Sequence, residues 1–110
     1  MKANKVSIVG AGLVGSTIAY TLSALGTASR IVLVDIDRKR AEGEAMDIEH
    51  GSPSLKEVDI QAGDYANTAD SDIVIITAGT NQRPGETRMD LITRNASIMR
   101  NVASEVAKHS

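Results

Sequence analysis

The chain has no cysteine, no tryptophan and no phenylalanine. Without cysteine there is no disulfide, no thiolate nucleophile and no cysteine-based zinc site, and nothing else in the sequence argues for a metal. Two tyrosines make up the whole aromatic content of 2%, so the stacking platforms that hold single-stranded bases are missing. Neither sign of charge predominates: 12 Lys and Arg against 14 Asp and Glu leave a net charge of −2, which gives no broad electrostatic case for nucleic acid or membrane binding. No apolar run approaches the length of a membrane span. Met1-Lys2-Ala3-Asn4 leads straight into a strand pattern, which leaves no room for a signal peptide. Repeats, low-complexity segments and interdomain linkers are also lacking. These absences point to a cytoplasmic piece, and its 110 residues fit one domain at most.

What is present is an alternation of β and α patterns. Lys5-Val6-Ser7-Ile8-Val9 reads as a short buried strand and runs into Gly10-Ala11-Gly12-Leu13-Val14-Gly15, a G-x-G-x-x-G. The helix after it carries Ile18, Ala19, Leu22 and Leu25 at helical spacing. In that context the glycines have distinct roles, namely the tight turn at Gly10, close approach of a pyrophosphate at Gly12, and close packing of helix on strand at Gly15. A lone glycine motif is weak, but a second strand, Arg30-Ile31-Val32-Leu33-Val34, ends in Asp35, 20 residues beyond Gly15. That is the spacing of an acid that binds an adenosine ribose. Its carboxylate accepts bonds from both ribose hydroxyls and repels a 2′-phosphate, which favours NAD over NADP. Arg38 is close enough to hold such a phosphate, but only against Asp35 and Asp37.

A fourth β pattern, Ile73-Val74-Ile75-Ile76, is unbroken and β-branched, as in a parallel strand covered on both faces. Ligands of such sheets sit beyond the carboxyl ends of the strands. There the chain continues as Thr77-Ala78-Gly79-Thr80-Asn81-Gln82-Arg83-Pro84-Gly85-Glu86-Thr87-Arg88. Pro84-Gly85 is a turn dipeptide that carries Gln82 and Arg83 on an exposed loop, and Arg88 opens the next helical pattern. A guanidinium there matches a carboxylate with two parallel bonds. Most single arginines in loops are simply solvated, so the motifs around Arg88 decide its reading.

Those motifs resemble the lactate and malate dehydrogenase family, and within it the bacterial L-lactate branch, along essentially the whole chain. The resemblance rests on the glycine motif, Val34-Asp35, Met46-Asp47-Ile48-Glu49-His50-Gly51 and Thr77-Ala78-Gly79. Most specific is Pro84-Gly85-Glu86-Thr87-Arg88-Met89-Asp90-Leu91, followed by Asn95. The resemblance implies an NAD-dependent oxidoreductase acting on a 2-hydroxy or 2-keto acid, with a loop at about 79–88 that closes over the substrate. It makes Arg88 the residue that polarises the reacting carbonyl and Gln82 the one that selects the substrate. Neutral Gln82 suits lactate or pyruvate, since a malate enzyme usually places arginine there for the second carboxylate. Arg83 next to it keeps malate as the alternative. The resemblance also makes Val14, Arg40, Tyr65, Gly79, Thr80 and Asn101 neighbours of the cofactor. Each has a plainer reading, Val14 as packing, Arg40 as one charge of Arg38-Lys39-Arg40, Tyr65 as a loop cap.

The expected fold is a partial α/β Rossmann sheet. Strands at about 5–9, 30–34, 58–62 and 73–77 align in order 3-2-1-4, with helices near 12–25, 38–50 and 88–108. Val58-Asp59-Ile60-Gln61-Ala62 alternates as an edge strand does. The fourth strand is wholly apolar yet has no later strand here to pair with, so its edge invites another chain or aggregation. Leu91, Ile92, Ile98, Met99, Val102 and Val106 likewise make an apolar helix side in need of a neighbour. The family's histidine–aspartate pair and second substrate arginine are expected beyond residue 110. His50 ends a helical pattern and His109 lies in a polar, frayed ending; neither adjoins the substrate loop as a general base must. By resemblance the complete enzyme is a homo-oligomer. The alternative for this chain is a nucleotide-binding Rossmann fragment that catalyses nothing.

Overall fold

A computed structural model of the chain describes residues 3–26, 28–51, 58–77 and 84–109. The elements follow in the order β1 (Ala3–Val9), α1 (Leu13–Leu25), β2 (Ala28–Val34), α2 (Arg38–Gly51), β3 (Asp59–Gly63), a 3-10 turn (Tyr65–Thr68), β4 (Ile73–Ile76) and α3 (Arg88–His109). All strand pairs are parallel and the sheet order is β3-β2-β1-β4, as the sequence pattern predicts. β1 and β2 begin two residues earlier than the expected starts at 5 and 30. Ala3 pairs with Ala28 and Lys5 with Arg30, so the ladder extends into polar residues that give no hydrophobic signal.

Alternation along the strands divides the core in two. Val6, Ile8, Ile31, Leu33 and Ile60 face α1 and α2, where Ala19, Ala41, Ala45 and Ile48 complete one cluster. Val9, Val32 and Val34 face the other way and pack with Val102, Ile98 and Val106 of α3. The unbroken run Ile31–Val34 is thus covered on both faces, the arrangement that makes such runs stable in parallel sheets. β3 exposes Asp59 and Gln61 while burying Ile60, as an edge strand should.

The 3-10 turn was not legible as an element. It is closed by Asn67, whose side-chain oxygen accepts the Asp64 N–H at 2.7 Å, and by the Thr68 hydroxyl, which donates to the Tyr65 carbonyl at 2.7 Å. The turn brings Tyr65 up to the carboxyl ends of the strands. At the opposite end, polar groups tie β4 to β1: Lys5 N–H donates to Asp72 Oδ2 at 3.0 Å, and the hydroxyls of Ser7 and Ser71 lie 2.6 Å apart. Ser7 is fully buried, and this pairing removes the cost of leaving its hydroxyl unsatisfied. His109 is the last residue of α3 and is half-buried, so the helix runs through an ending expected to fray. No helix among the described residues is long and apolar enough to cross a membrane.

Candidate cofactor site

The turn between β1 and α1 is built by its glycines. Gly10 has φ 109°, a conformation that side chains with a Cβ rarely adopt. Its N–H extends the ladder by donating to the Val34 carbonyl at 2.7 Å. Gly15 lies against this turn from inside α1, where a Cβ would overlap the Gly10 carbonyl oxygen and stand 2.9 Å from Thr77 Oγ1. Thr77 is the pin of this junction: its N–H bonds the Val9 carbonyl at 2.8 Å and its hydroxyl the Gly10 carbonyl at 3.0 Å. Its position just past a strand gave no hint of this role.

Gly12 differs from the other two. Its backbone is extended, with φ −74° and ψ −168°, and a Cβ built on it meets nothing within 4 Å. Neither backbone strain nor the protein's own packing requires glycine there; the demand comes from whatever occupies the space above it. Gly12 is the N-cap of α1, with no side-chain cap and no acidic residue in the first turn. The unpaired N–H groups of that turn and the positive end of the helix dipole face open space, which is the makeup of a phosphate site.

Asp35 ties the two halves of the site together. Its Oδ2 accepts the Ala11 N–H at 2.7 Å and its Oδ1 the Asp37 N–H at 2.9 Å. One carboxylate therefore anchors the glycine turn and the β2–α2 turn. Each oxygen keeps a further lone pair, so two ribose hydroxyls can still be accepted. Asp37 in turn caps α2 by accepting the Arg40 N–H at 3.1 Å.

Beyond the strand ends lies a cleft of about 530 Å³. Gly10, Gly12, Asp35, Arg40, Tyr65 and Asn101 line it, so the fold brings together six of the residues singled out from the sequence. Ile36, Asp37, Thr77, Ile98 and Val102 line it as well, and sequence reasoning named none of them for the site. Ile36 is 99% exposed, and no pattern in the sequence marks an isoleucine after a strand end as exposed. Tyr65 keeps its phenol protonated above the ordinary range, first because it is partly buried and then because of the Glu105 and Asp35 carboxylates. It enters the cleft as a neutral donor.

Three of the expected residues, Val14, Gly15 and Arg88, are described but not among the cleft's lining. Val14 is exposed on the first turn of α1, and Gly15 acts from beneath, by packing. Gly79, Thr80 and Gln82 lie outside the described residues. Arg88 is exposed at the first position of α3, ten residues and therefore roughly 15 Å of helix from Ile98. Its helix start is firmly built: Asp90 N–H donates to Thr87 Oγ1 at 3.1 Å and Thr87 N–H to Asp90 Oδ2 at 3.1 Å, a reciprocal cap. Glu86 is ion-paired with Arg94, which fixes the residue before that cap to the second turn of α3. Arg88 thus stands on a rigid base, separate from the cleft.

A cleft with a glycine turn, a bare helix start and a strand-end carboxylate suits a dinucleotide, and comparison with known proteins identifies which kind. The family model for the lactate/malate dehydrogenase NAD binding domain matches residues 4–110. The chain belongs to the lactate/malate dehydrogenase family. It is 55% identical over 109 residues to an L-lactate dehydrogenase of Clostridium perfringens, covering 99% of this chain and 34% of that protein. It is also 55% identical over 106 residues to that of Acetivibrio thermocellus, covering 96% and 33%. Among solved structures, a lactate dehydrogenase from a Medee basin deep-sea metagenome library superposes with a TM-score of 0.92 at 44% identity, over 99% of this chain and 35% of the other. The malate dehydrogenase of Archaeoglobus fulgidus, in complex with NADH, gives 0.88 at 39% identity, over 96% and 37%. The chain thus spans about a third of the length of the curated relatives it matches. The family's domain binds NAD, and the Gly12 space, the bare start of α1 and Asp35 fit that cofactor.

Proposed function

We propose that this chain is the cofactor-binding and substrate-loop portion of an NAD-dependent L-lactate dehydrogenase that interconverts lactate and pyruvate. The observation that carries the reading is the cleft itself, in which the open space over Gly12 and the carboxylate of Asp35 are joined through the Ala11 N–H. Gly10, Gly12 and the first turn of α1 receive the pyrophosphate, with Gly15 fitting the helix to the turn and Val14 flanking it. Asp35 takes the adenosine ribose, Arg40 and Tyr65 border the adenosine, and Gly79, Thr80 and Asn101 border the rest of the cofactor. When bound, NAD accepts or supplies the hydride. Arg88 polarises the substrate carbonyl, and Gln82 leaves room for a methyl group where a dicarboxylic acid carries its second charge. A histidine base oriented by aspartate is supplied by the remaining length of the complete enzyme.

The relatives support lactate over malate, and the complete enzyme is expected to be cytoplasmic, homo-oligomeric and placed where glycolysis delivers pyruvate. Calorimetric titration of the chain with NADH tests the cofactor reading. Saturable binding is expected, with Gly12→Ala weakening it at least tenfold and leaving the unfolding midpoint in place. Equal affinity in that variant would mean that nothing approaches the turn closely. In a complete enzyme carrying this segment, Gln82→Arg is expected to move preference from pyruvate toward oxaloacetate; an unchanged ratio would refute the role given to Gln82.

A further inference from the structure

We propose that Asp64 and Glu42 enforce the choice of NAD over its 2′-phosphorylated counterpart by holding the Arg38 guanidinium away from the ribose edge of the cleft. The inference rests on the cleft being a dinucleotide site and adds residues outside its lining. Val34 pairs with Gly63 in the parallel β2–β3 ladder, so Asp35 and Asp64 leave neighbouring strands at the same level, with strands about 4.8 Å apart. Arg38 opens α2 three residues after Asp35. It is therefore the nearby cation best placed by sequence to meet a 2′-phosphate.

Arg38, Glu42 and Asp64 all lie outside the lining of the cleft. Arg38 Nη1 donates to Asp64 Oδ1 at 2.7 Å and its Nε lies 3.3 Å from Glu42 Oε1. The fork of donors that would grip a phosphate through two bonds is instead spread between two carboxylates, one just past β3 and one a turn further along α2. Asp35 is held in place by the Ala11 and Asp37 N–H groups, so the negative charge at the ribose edge is fixed while the Arg38 guanidinium is engaged by two other carboxylates; Arg40 is the cation that lines the cleft. Arg38 is 47% exposed, and each bridge taken singly is weak. Their weight lies in their number: both contacts must be given up before the guanidinium can turn to the ribose.

The test measures NADP+ and NAD+ affinity calorimetrically for the whole chain. In an Asp35→Asn background, which keeps a side-chain acceptor but removes the charge, adding Glu42→Gln and Asp64→Asn is expected to tighten NADP+ binding about tenfold, the combined weight of two exposed ion pairs. Adding Arg38→Ala to that variant is expected to erase the gain. With Asp35 intact, Glu42→Gln with Asp64→Asn is expected to shift the NADP+ to NAD+ ratio the same way by a smaller factor, so the outcome does not depend on how well the Asp35 variant folds. NADP+ affinity within twofold of the background would overturn the proposal, as would a gain that survives Arg38→Ala, since that gain would be only relief of repulsion. Failure of the unmodified chain to bind NAD+ would instead overturn the reading of the cleft, and the proposal with it.

Discussion

Asp35 joins an architectural role to the ribose recognition proposed for it. Its two oxygens hold the Ala11 and Asp37 N–H groups, so Asp35→Ala strips acceptors from both turns as well as from a ribose. That substitution is expected to lower stability by roughly 1–3 kcal/mol while weakening NADH; urea unfolding and calorimetry would measure the two effects separately, and unchanged stability would show that the turns hold without it. The ribose role proposed for Asp35 comes from its distance to the glycine motif. The anchoring role was not legible in the sequence, because a bond from Ala11 to Asp35 depends on how β1 and β2 come into register. Tyr65 offers a pH-dependent counterpart. Burial, then Glu105 and Asp35, raise its phenol above the ordinary value of 10.0. The folded chain keeps this proton at a pH where the unfolded chain has lost it, so the associated stability is intact below about pH 10 and falls as pH rises beyond it. Tyr65→Phe removes this one contribution. The stability difference between the two proteins, followed from pH 8.5 to 11 by chemical denaturation, is expected to move in favour of Tyr65→Phe as pH rises; a flat difference would mean that the phenol is no more perturbed than in the unfolded chain.

At the scale of elements, the junction of β1, α1 and β4 depends on contacts between backbones. Gly15 faces the Gly10 carbonyl with Thr77 Oγ1 alongside, and backbone atoms cannot swing aside as a side-chain tip can. Gly15→Ala is therefore expected to cost roughly 1–3 kcal/mol or more by overpacking, in contrast to Gly12→Ala, whose Cβ meets nothing of the chain. A matched pair of urea melts would show it, and equal midpoints would contradict the packing described for Gly15. The motif spacing revealed that the three glycines differ in role, and the fold agrees. Strand order was legible from doubly wound topology, with the alternating third pattern reading as an edge; the fourth, read as covered on both faces, is the other edge among the described residues, with Ile73 exposed. The 3-10 turn and the Thr77 pin were hidden, since both arise from hydroxyl and amide bonds that hydrophobic periodicity does not register. The cap of α3, Thr87-x-x-Asp90, is a spacing with a direct physical meaning, although the sequence reading marked only Arg88 as the opening of that helix.

For the molecule as a whole, the unfinished surface is the outer side of β4. One side of this strand pairs with β1, from Val6 with Ile73 to Val9 with Ile76, and the sheet order ends there among the described residues. Ile73 is 49% exposed, and Met89, Ile92 and Met99 of α3 add further exposed apolar surface. An apolar edge with free backbone groups is a template for another strand, whereas β3 at the opposite edge carries Asp59 and Gln61 outward. The chain on its own is therefore expected to associate in a concentration-dependent way through β4. Ile73→Lys places a charge on that edge at a half-exposed position, where the cost to folding is small, and is expected to shift the chain toward monomer in sedimentation velocity. Ala24→Lys, on the exposed face of α1, changes net charge equally and separates the edge from a general effect of charge. If both variants dissociated alike, repulsion between chains would explain the result. If Ile73→Lys associated as strongly as the unmodified chain, the contact would lie elsewhere, with the exposed methionines and isoleucine of α3 the next surface to probe.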